Sequence, residues 1–210
     1  MAALHSVAYW RGERYDFAPP FYARIDETPF TEKPKGGAAL SGINSRIMGA
    51  GWHQWEIYRI AELISLGCTV CPADFTGGRR ALDDWRAQQL WCIDVDNDAE
   101  SLQRCPRGLT EYDAVERAKK KRLPLVLAYQ SFNGSPDANP LEPSGLPIAE
   151  ERYRLIFASE EPITDRGEAE AFGAFLLGMY PEADQSTVEL NRMFYGTDKE
   201  VWICHSWQML

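Results

Sequence analysis

Two short apolar runs in the middle of the chain predict buried strands. Residues 88–96, QQLWCIDVD, become apolar before they end in acidic positions, and residues 125–129, LVLAY, carry no charge. Residues 109–121 lie between these runs, carry apolar positions on one side and end in a group of cations, which is typical of a surface helix. The middle of the chain therefore predicts a strand, a helix and a second strand.

The chain before these runs has a weaker pattern. Residues 1–50 contain several prolines and glycines and little apolar periodicity, so we expect an irregular N-terminal arm. Residues 52–64 have apolar positions close to a helical repeat, and Gly67 is a natural stop for the helix that they predict. We therefore divide the chain into an arm over residues 1–50 and a folded domain over residues 51–210.

The chain after these runs predicts further strands and one helix. Residues 152–158 would pair as a hairpin with residues 125–129 across a loop rich in proline and glycine. Residues 164–179 predict an amphipathic helix, and residues 192–196 and 201–204 predict closing strands. Helices and strands mix without strict alternation, so the expected fold class is α+β, with a mostly antiparallel sheet flanked by helices.

Composition and charge narrow the classes of function. The chain has 210 residues with 45% hydrophobic content, which is enough for one good core. Its net charge of −9 argues against a simple nucleic-acid coating protein, but an enzyme whose carboxylates hold divalent cations is also acidic. No run approaches the roughly 18 apolar residues of a membrane span, so we expect a cytoplasmic protein without membrane association.

Asp94 and Asp96 are the sharpest candidates for chemistry. Residues two apart on a strand point to the same face, so the predicted strand aims both carboxylates at one point. Such a pair suits Mg²⁺ or Mn²⁺ shared with substrate phosphates, and two ions about 4 Å apart could be held there. An acidic junction between a strand and a loop is the alternative reading of the same residues.

Arginines provide candidate phosphate contacts. Arg79 and Arg80 follow two glycines, so their backbone could approach a ligand closely, although a basic surface loop explains them as well. Arg154 lies in a predicted strand, where its charge needs either a phosphate or a carboxylate partner. Arg192 has the same two readings, and Tyr195 could either stack on a base or sugar or pack in the core.

The order of motifs resembles the primase-polymerase core of the archaeo-eukaryotic primase superfamily, as found in plasmid, phage and integrated-element replication proteins. In that family a DxD or DxE strand is followed by a helix and by a strand that ends in a turn with serine and often histidine. A strand with a basic residue, a helix and a final acid ahead of an Arg-aromatic segment come next. The resemblance spans about residues 68–203, and the matching stretches are residues 92–98, 126–135, 151–165, 181–186 and 191–196.

The resemblance implies a DNA primase or DNA-directed polymerase with an RRM-like catalytic core over residues 51–210. Such a nucleotidyltransferase uses two Mg²⁺ or Mn²⁺ ions to add nucleotides on a single-stranded DNA template. Asp94, Asp96 and Asp184 would be its metal ligands and catalytic acids. Nucleoside triphosphates, single-stranded DNA and a replicative helicase are the implied partners, in the replication of a phage or another mobile element.

The turn that carries the family's histidine reads SFNGS here, over residues 131–135, and contains no histidine. Ser131 and Asn133 can donate hydrogen bonds to phosphate, but neither supplies a cation. Either Arg79, Arg80 or Arg154 would supply the charge, or the chain would be a weak or specialised polymerase. The nucleotide-binding residues implied by the resemblance are Ser131, Asn133, Arg154, Arg192 and Tyr195, together with Arg79 and Arg80 from the loop.

Two other functions use the same residues. A replication module that kept the primase fold could bind nucleic acid with weak catalysis or none. A metal-dependent nuclease or phosphohydrolase could use the same carboxylates to cleave strands and would ignore nucleoside triphosphates. The acids alone do not separate these functions from a polymerase.

Overall fold

The computed structural model describes residues 7–9, 20–135, 143, 145 and 147–204. Its strands are β1 (Val7–Tyr9), β2 (Phe21–Asp26), β3 (His53–Trp55), β4 (Thr69–Cys71), β5 (Ala73–Phe75), β6 (Trp85–Val95), β7 (Leu125–Gln130), β8 (Tyr153–Ile163) and β9 (Val201–Ile203). Its helices are α1 (Gly37–Ala50), α2 (Ile57–Ser65), α3 (Ala99–Arg104), α4 (Glu111–Lys121) and α5 (Arg166–Met179). Within these described ranges no helix has both the length and the apolar character that crossing a membrane requires.

The strands form one large and one small sheet. The large sheet has six strands in the order β1-β9-β7-β8-β6-β5, and the small sheet has the order β3-β2-β4. Strands β1 and β9 are parallel, whereas the other paired strands are antiparallel. The predicted α+β class with a mostly antiparallel sheet is confirmed.

The centre of the large sheet is a split β-α-β unit. Strands β6 and β7 both pair antiparallel with β8, so they run parallel to each other on either side of it, and α3 and α4 lie in the connection between them. In an RRM-like unit the last strand would pair with the first, which here is β6. Instead β9 pairs with β7, and β5 pairs with the first residues of β6 at its outer edge. The fourth strand thus departs from the RRM-like arrangement.

The two faces of the large sheet are buried by different elements. Side chains alternate along β6, so Leu90 and Cys92 join a core with β2, α2 and β4, whereas Trp91, Ile93 and Val95 join a core with α4 and α5. The first core lies between the two sheets. Any polar side chain at the end of β6 on that face therefore lies where the two sheets meet.

The N-terminal segment is more regular than its composition predicts. The part of the predicted irregular arm that falls on residues 20–50 contains β2 and α1, and Phe21, Ile43 and Ile47 are fully buried. The prediction of an irregular segment there is wrong, because these few apolar positions pack against the rest of the chain. The part of the prediction on residues 1–6 and 10–19 lies outside the described residues.

Two further element predictions need correction. Residues 192–196 form no strand, because Phe194 makes a single bridge to Val70 and the backbone on either side of it leaves the pairing. Residues 52–64 are divided between β3 and α2, so the helix begins later than the apolar pattern predicts. The predicted strands that correspond to β6, β7, β8 and β9 and the predicted helices α4 and α5 are confirmed.

Local sequence signals explain where the confirmed helices begin and end. The Thr110 side chain accepts a hydrogen bond from the Asp113 backbone N–H at 3.0 Å at the start of α4, and Asp165 caps α5 in the same way. Gly67 follows α2 with a φ of +84°, and a Cβ at this position would lie 1.8 Å from the carbonyl oxygen of Phe30. Only glycine fits at this close approach.

Candidate functional site

Asp94 begins a row of side chains that crosses three strands. It is directly opposite Arg154 on β8, and Arg154 is directly opposite Tyr129 on β7. Directly opposed residues of antiparallel strands place their side chains on the same face. Tyr129 belongs to the core between the two sheets, so Asp94, which is only 6% exposed, faces the same region.

Arg154 is the centre of this row. Its Nη2 donates to Asp94 Oδ2 at 3.1 Å and its Nη1 donates to the backbone oxygen of Tyr195 at 2.5 Å. The guanidinium carbon lies 5.9 Å from the ring centroids of both Tyr129 and Phe194. Burial by itself would lower the pKa of Arg154, but the charges and hydrogen bonds of Asp94 and Tyr129 together raise it. Of the two partners predicted for Arg154, a phosphate or a carboxylate, the structure shows a carboxylate, that of Asp94.

The second carboxylate oxygen of Asp94 has no such partner. Asp94 Oδ1 is buried and accepts no hydrogen bond in the described part of the chain. A buried polar atom without a partner is costly and requires an explanation, and a divalent cation is a ligand that would satisfy a carboxylate oxygen there. Asp94 therefore fits the metal-ligand role predicted for it.

Asp96 lies just beyond the end of β6 and is half-buried. Burial raises the pKa of Asp96, and the nearby charge of Asp94 raises it further, whereas Arg154, Arg152 and Lys33 act in the opposite direction. The two carboxylates are thus close enough to repel each other. Two carboxylates therefore lie close together at this end of β6, with three cations whose charges act on Asp96.

Asp184, the third predicted acid, lies beside the first. Its backbone N–H donates to the backbone oxygen of Asp94 at 2.9 Å. Its carboxylate accepts from Ser186 and pairs with Arg192 at 3.2 Å. Partial burial alone would raise the pKa of Asp184, but these hydrogen bonds and the Arg192 charge lower it. The carboxylate is thus directed at Arg192, and among the described residues no three His, Cys, Asp or Glu side chains converge closely enough to hold a metal.

Arg192 and Tyr195, both predicted to bind nucleotide, are half-buried and lie next to these acids. Arg192 donates to Asp184 and to the Ser186 hydroxyl, so its charge is already engaged. Tyr195 contributes its backbone oxygen, which accepts from Arg154 and from the Tyr129 hydroxyl. The backbone of this segment is thereby fixed against the Asp94 row.

Arg79 and Arg80 lie apart from the carboxylates. Both belong to the loop before β6, at the opposite end of that strand from Asp94. Arg79 is exposed and lies 3.8 Å from Asp84, which corresponds to the surface-loop reading. Arg80 donates to the Asn44 side chain and to the backbone oxygen of Asn191, so it links α1 to the segment that leads into Arg192.

The turn after β7 is held by a lysine. Ser131 is buried, and Lys199 Nζ donates to the backbone oxygens of Ser131 and Phe132 at 2.9 and 2.8 Å. Asn133 is exposed, so its side-chain amide is available to a ligand. No local sequence pattern singles out Lys199, because a lone lysine before a short strand carries no signal of its own.

Lys33 is a second residue that the sequence analysis missed. It lies between β2 and α1, in the segment predicted to be irregular, and its charge acts on Asp96. Its only sequence signal is the pair of lysines in TEKPK, over residues 31–35. Two lysines around a proline on an exposed segment do not predict proximity to a strand that lies far along the chain.

A buried polar network supports this end of the sheet. The Glu111 backbone N–H donates to Glu151 Oε2 at 2.6 Å, and Gln130 donates to the Glu111 carboxylate. Asn97, which follows Asp96 with a φ of 45°, donates to the backbone oxygen of Glu151 at 2.8 Å. Burial raises the pKa of Glu111 to about 8, the Glu151 charge adds to the rise, and the Gln130 hydrogen bond opposes it.

We expect Glu111 to make stability fall with rising pH. The folded protein retains a proton on Glu111 up to about pH 8, whereas the unfolded chain releases it near the ordinary pKa of 4.5. The free energy of unfolding, measured in urea, should therefore decrease as the pH rises between these values. Glu111→Gln should flatten this decrease, whereas Glu100→Gln on the exposed side of α3 should not. Equal slopes for wild type and Glu111→Gln would contradict the assignment.

The Asp94–Arg154 pair yields a second prediction. Arg154→Met should lower the free energy of unfolding by about 3–5 kcal/mol, because it leaves a buried carboxylate without its partner. The double variant Arg154→Met/Asp94→Leu should recover much of this loss, since buried ion pairs are often replaced by apolar residues at little cost. Urea unfolding in EDTA measures both. A single variant as stable as wild type would show that the pair contributes little.

Comparison with known proteins returned no match. No family model matches the chain, no curated protein matches it, and no solved structure matches it. The family resemblance noted from the order of motifs therefore stays a prediction. The contacts described above are what bear on the chemistry of this site.

Proposed function

We propose that this chain is a metal-dependent nucleotidyltransferase of the primase-polymerase type, which adds nucleotides on a single-stranded DNA template. The observation that carries the proposal is the hydrogen bond from the Asp184 backbone N–H to the backbone oxygen of Asp94. Only the order of motifs nominated Asp184, which on its own resembles an ordinary turn acid. The bond brings the Asp184 backbone, from a distant part of the sequence, beside Asp94, which supports Asp184 as a third ligand once its carboxylate turns away from Arg192.

Three side chains would hold the metals in this proposal. Asp94 would offer its unpartnered Oδ1, and Asp96 would add a carboxylate close to that of Asp94. Asp184 would contribute after its carboxylate leaves Arg192, which would free the guanidinium for a phosphate group. Bound divalent cations would supply activation of the attacking hydroxyl and stabilisation of the leaving pyrophosphate.

Arg154 acts as a positioning residue in this proposal. It is 7% exposed, and its two amino groups are engaged by Asp94 and by the backbone of Tyr195. These contacts fix the orientation of the Asp94 carboxylate and leave Oδ1 as the oxygen for a metal. Catalysis would then depend on the placement of reacting groups and on charge neutralisation, as is general for phosphoryl transfer.

The wider setting of the function rests on the resemblance alone. Replication of a plasmid, phage or integrated element, with a replicative helicase as partner, is the setting in which such cores occur. A cytoplasmic location follows from the same setting and from the absence of a long apolar run in the sequence.

Primer extension tests the proposal directly. Wild type should extend a labelled primer on single-stranded DNA, or start strands without one, with Mg²⁺ or Mn²⁺ and nucleoside triphosphates. Asp94→Asn, Asp96→Asn and Asp184→Asn should each lower the rate by about 100-fold or more, the scale of losing one preorganised contact to the transition state. Asp83→Asn, which changes an exposed acid far from the site, is the matched control.

Other outcomes of this assay would overturn the polymerase proposal. No product from wild type with either metal, together with strand binding, would favour a non-catalytic replication module. Strand cleavage that depends on the same three acids would favour a nuclease. Product formation that survives all three substitutions would show that the chemistry lies elsewhere in the chain.

Metal binding has a readout that does not depend on activity. In EDTA, Asp96→Asn should raise the melting temperature, because the substitution removes the repulsion between Asp96 and Asp94. Mn²⁺ should raise the melting temperature of wild type and have a much smaller effect on Asp96→Asn, since the variant has lost a ligand. An equal Mn²⁺ shift in both proteins would contradict the metal-ligand role of Asp96, and Asp83→Asn should behave as wild type.

A further inference from the structure

A small pocket opens at the end of the large sheet that carries Asp94 and Asp96. It has a volume of about 140 Å³ and lies between the segment that joins β2 to α1 and the turn after β7. Thr31, Lys33 and Lys35 line it from the first segment, and Asn133 lines it from the turn. The pocket therefore joins the N-terminal segment to the turn in which the primase family carries its histidine.

The pocket lies at the same end of the large sheet as the carboxylates at the end of β6. Strands β6 and β7 run parallel on either side of β8, and the turn that contains Asn133 directly follows β7. A ligand in this pocket would thus lie at the end of the sheet where Asp94 and Asp96 would hold a metal.

Lys33 and Lys35 are available to a ligand, unlike Arg154, Arg192 and Lys199. Both are exposed, and neither forms a hydrogen bond or ion pair with another residue in the described part of the chain. Arg154 is engaged by Asp94, Arg192 by Asp184, and Lys199 by the backbone of the turn. A flexible ammonium group is a common phosphate ligand.

Size and charge indicate which part of a substrate the pocket takes. Pockets that bury a drug-sized ligand measure roughly 300–1,000 Å³, so this one would enclose a phosphate tail and leave the base and sugar outside. Glu32 and Asp198 also line it and offset the two lysines. A metal-bound triphosphate, whose charge is partly neutralised, suits such a lining better than a free triphosphate does.

We infer that Lys33, Lys35 and the Asn133 side chain bind the triphosphate tail of the incoming nucleotide, in place of the histidine that the turn lacks. The inference rests on the proposed nucleotidyltransferase function. The cations that bind the phosphates would then lie in a segment that the sequence predicts to be an irregular arm. Arg79, Arg80 and Arg154 would not be needed to bind phosphate.

Calorimetric titration with a non-hydrolysable deoxynucleoside triphosphate and Mn²⁺ tests the inference. Lys33→Ala/Lys35→Ala should weaken the affinity by about tenfold or more, because charged contacts to phosphate are lost. The same variant should change the affinity for the nucleoside monophosphate much less. Lys120→Ala/Lys121→Ala, which removes the same charge from the exposed end of α4, should bind both ligands as wild type does.

The outcomes separate this inference from the function on which it rests. Wild-type affinity and wild-type KM in the Lys33→Ala/Lys35→Ala variant, with primer extension intact, would overturn the inference and leave the proposed function standing. A loss of affinity equal to that of the Lys120→Ala/Lys121→Ala control would also overturn it, because only net charge would then matter. A wild-type protein that binds no triphosphate and makes no product would overturn both.

Discussion

The buried ion pair between Asp94 and Arg154 is the contact on which the rest of the site depends. A buried charge is costly unless its partner and its remaining hydrogen bonds are well placed, and here the guanidinium reaches both the carboxylate and the backbone of Tyr195. The carboxylate is thereby oriented, and the segment that carries Arg192 is fixed beside it. The site is assembled around one arginine that itself faces away from solvent.

The same constraint links parts of the chain that are far apart in sequence. Phe194 packs near Arg154 and bridges to Val70, so the small sheet is tied to the segment that Arg154 holds. On the other side of the acids, Asn97 fixes the turn after β6 through the backbone of Leu109 and Glu151. Asp94 and Asp96 therefore lie at a strand end that contacts hold from two directions.

The sequence predicts the centre of the fold because its signals are local. Alternation and apolar runs locate β6, β7 and β8, and capping residues such as Thr110 locate the helices. The N-terminal segment was missed because α1 contains three glycines and buries only Ile43 and Ile47, so its periodicity is weak. The departure from the RRM-like strand order was not predictable either, since pairing between distant strands depends on which edges other strands have already taken.

The candidate site is likewise predicted only in part by local sequence patterns. The spacing of Asp94 and Asp96 predicts one shared face, but the partner of Arg154 depends on the register between β6 and β8, which no local pattern contains. In the proposed reaction, charge would couple the binding of metal to the binding of triphosphate. The carboxylates at the end of β6 would repel a free triphosphate, and a bound metal would remove that repulsion. Metal and triphosphate should therefore each raise the affinity for the other, because either one alone leaves like charges facing each other.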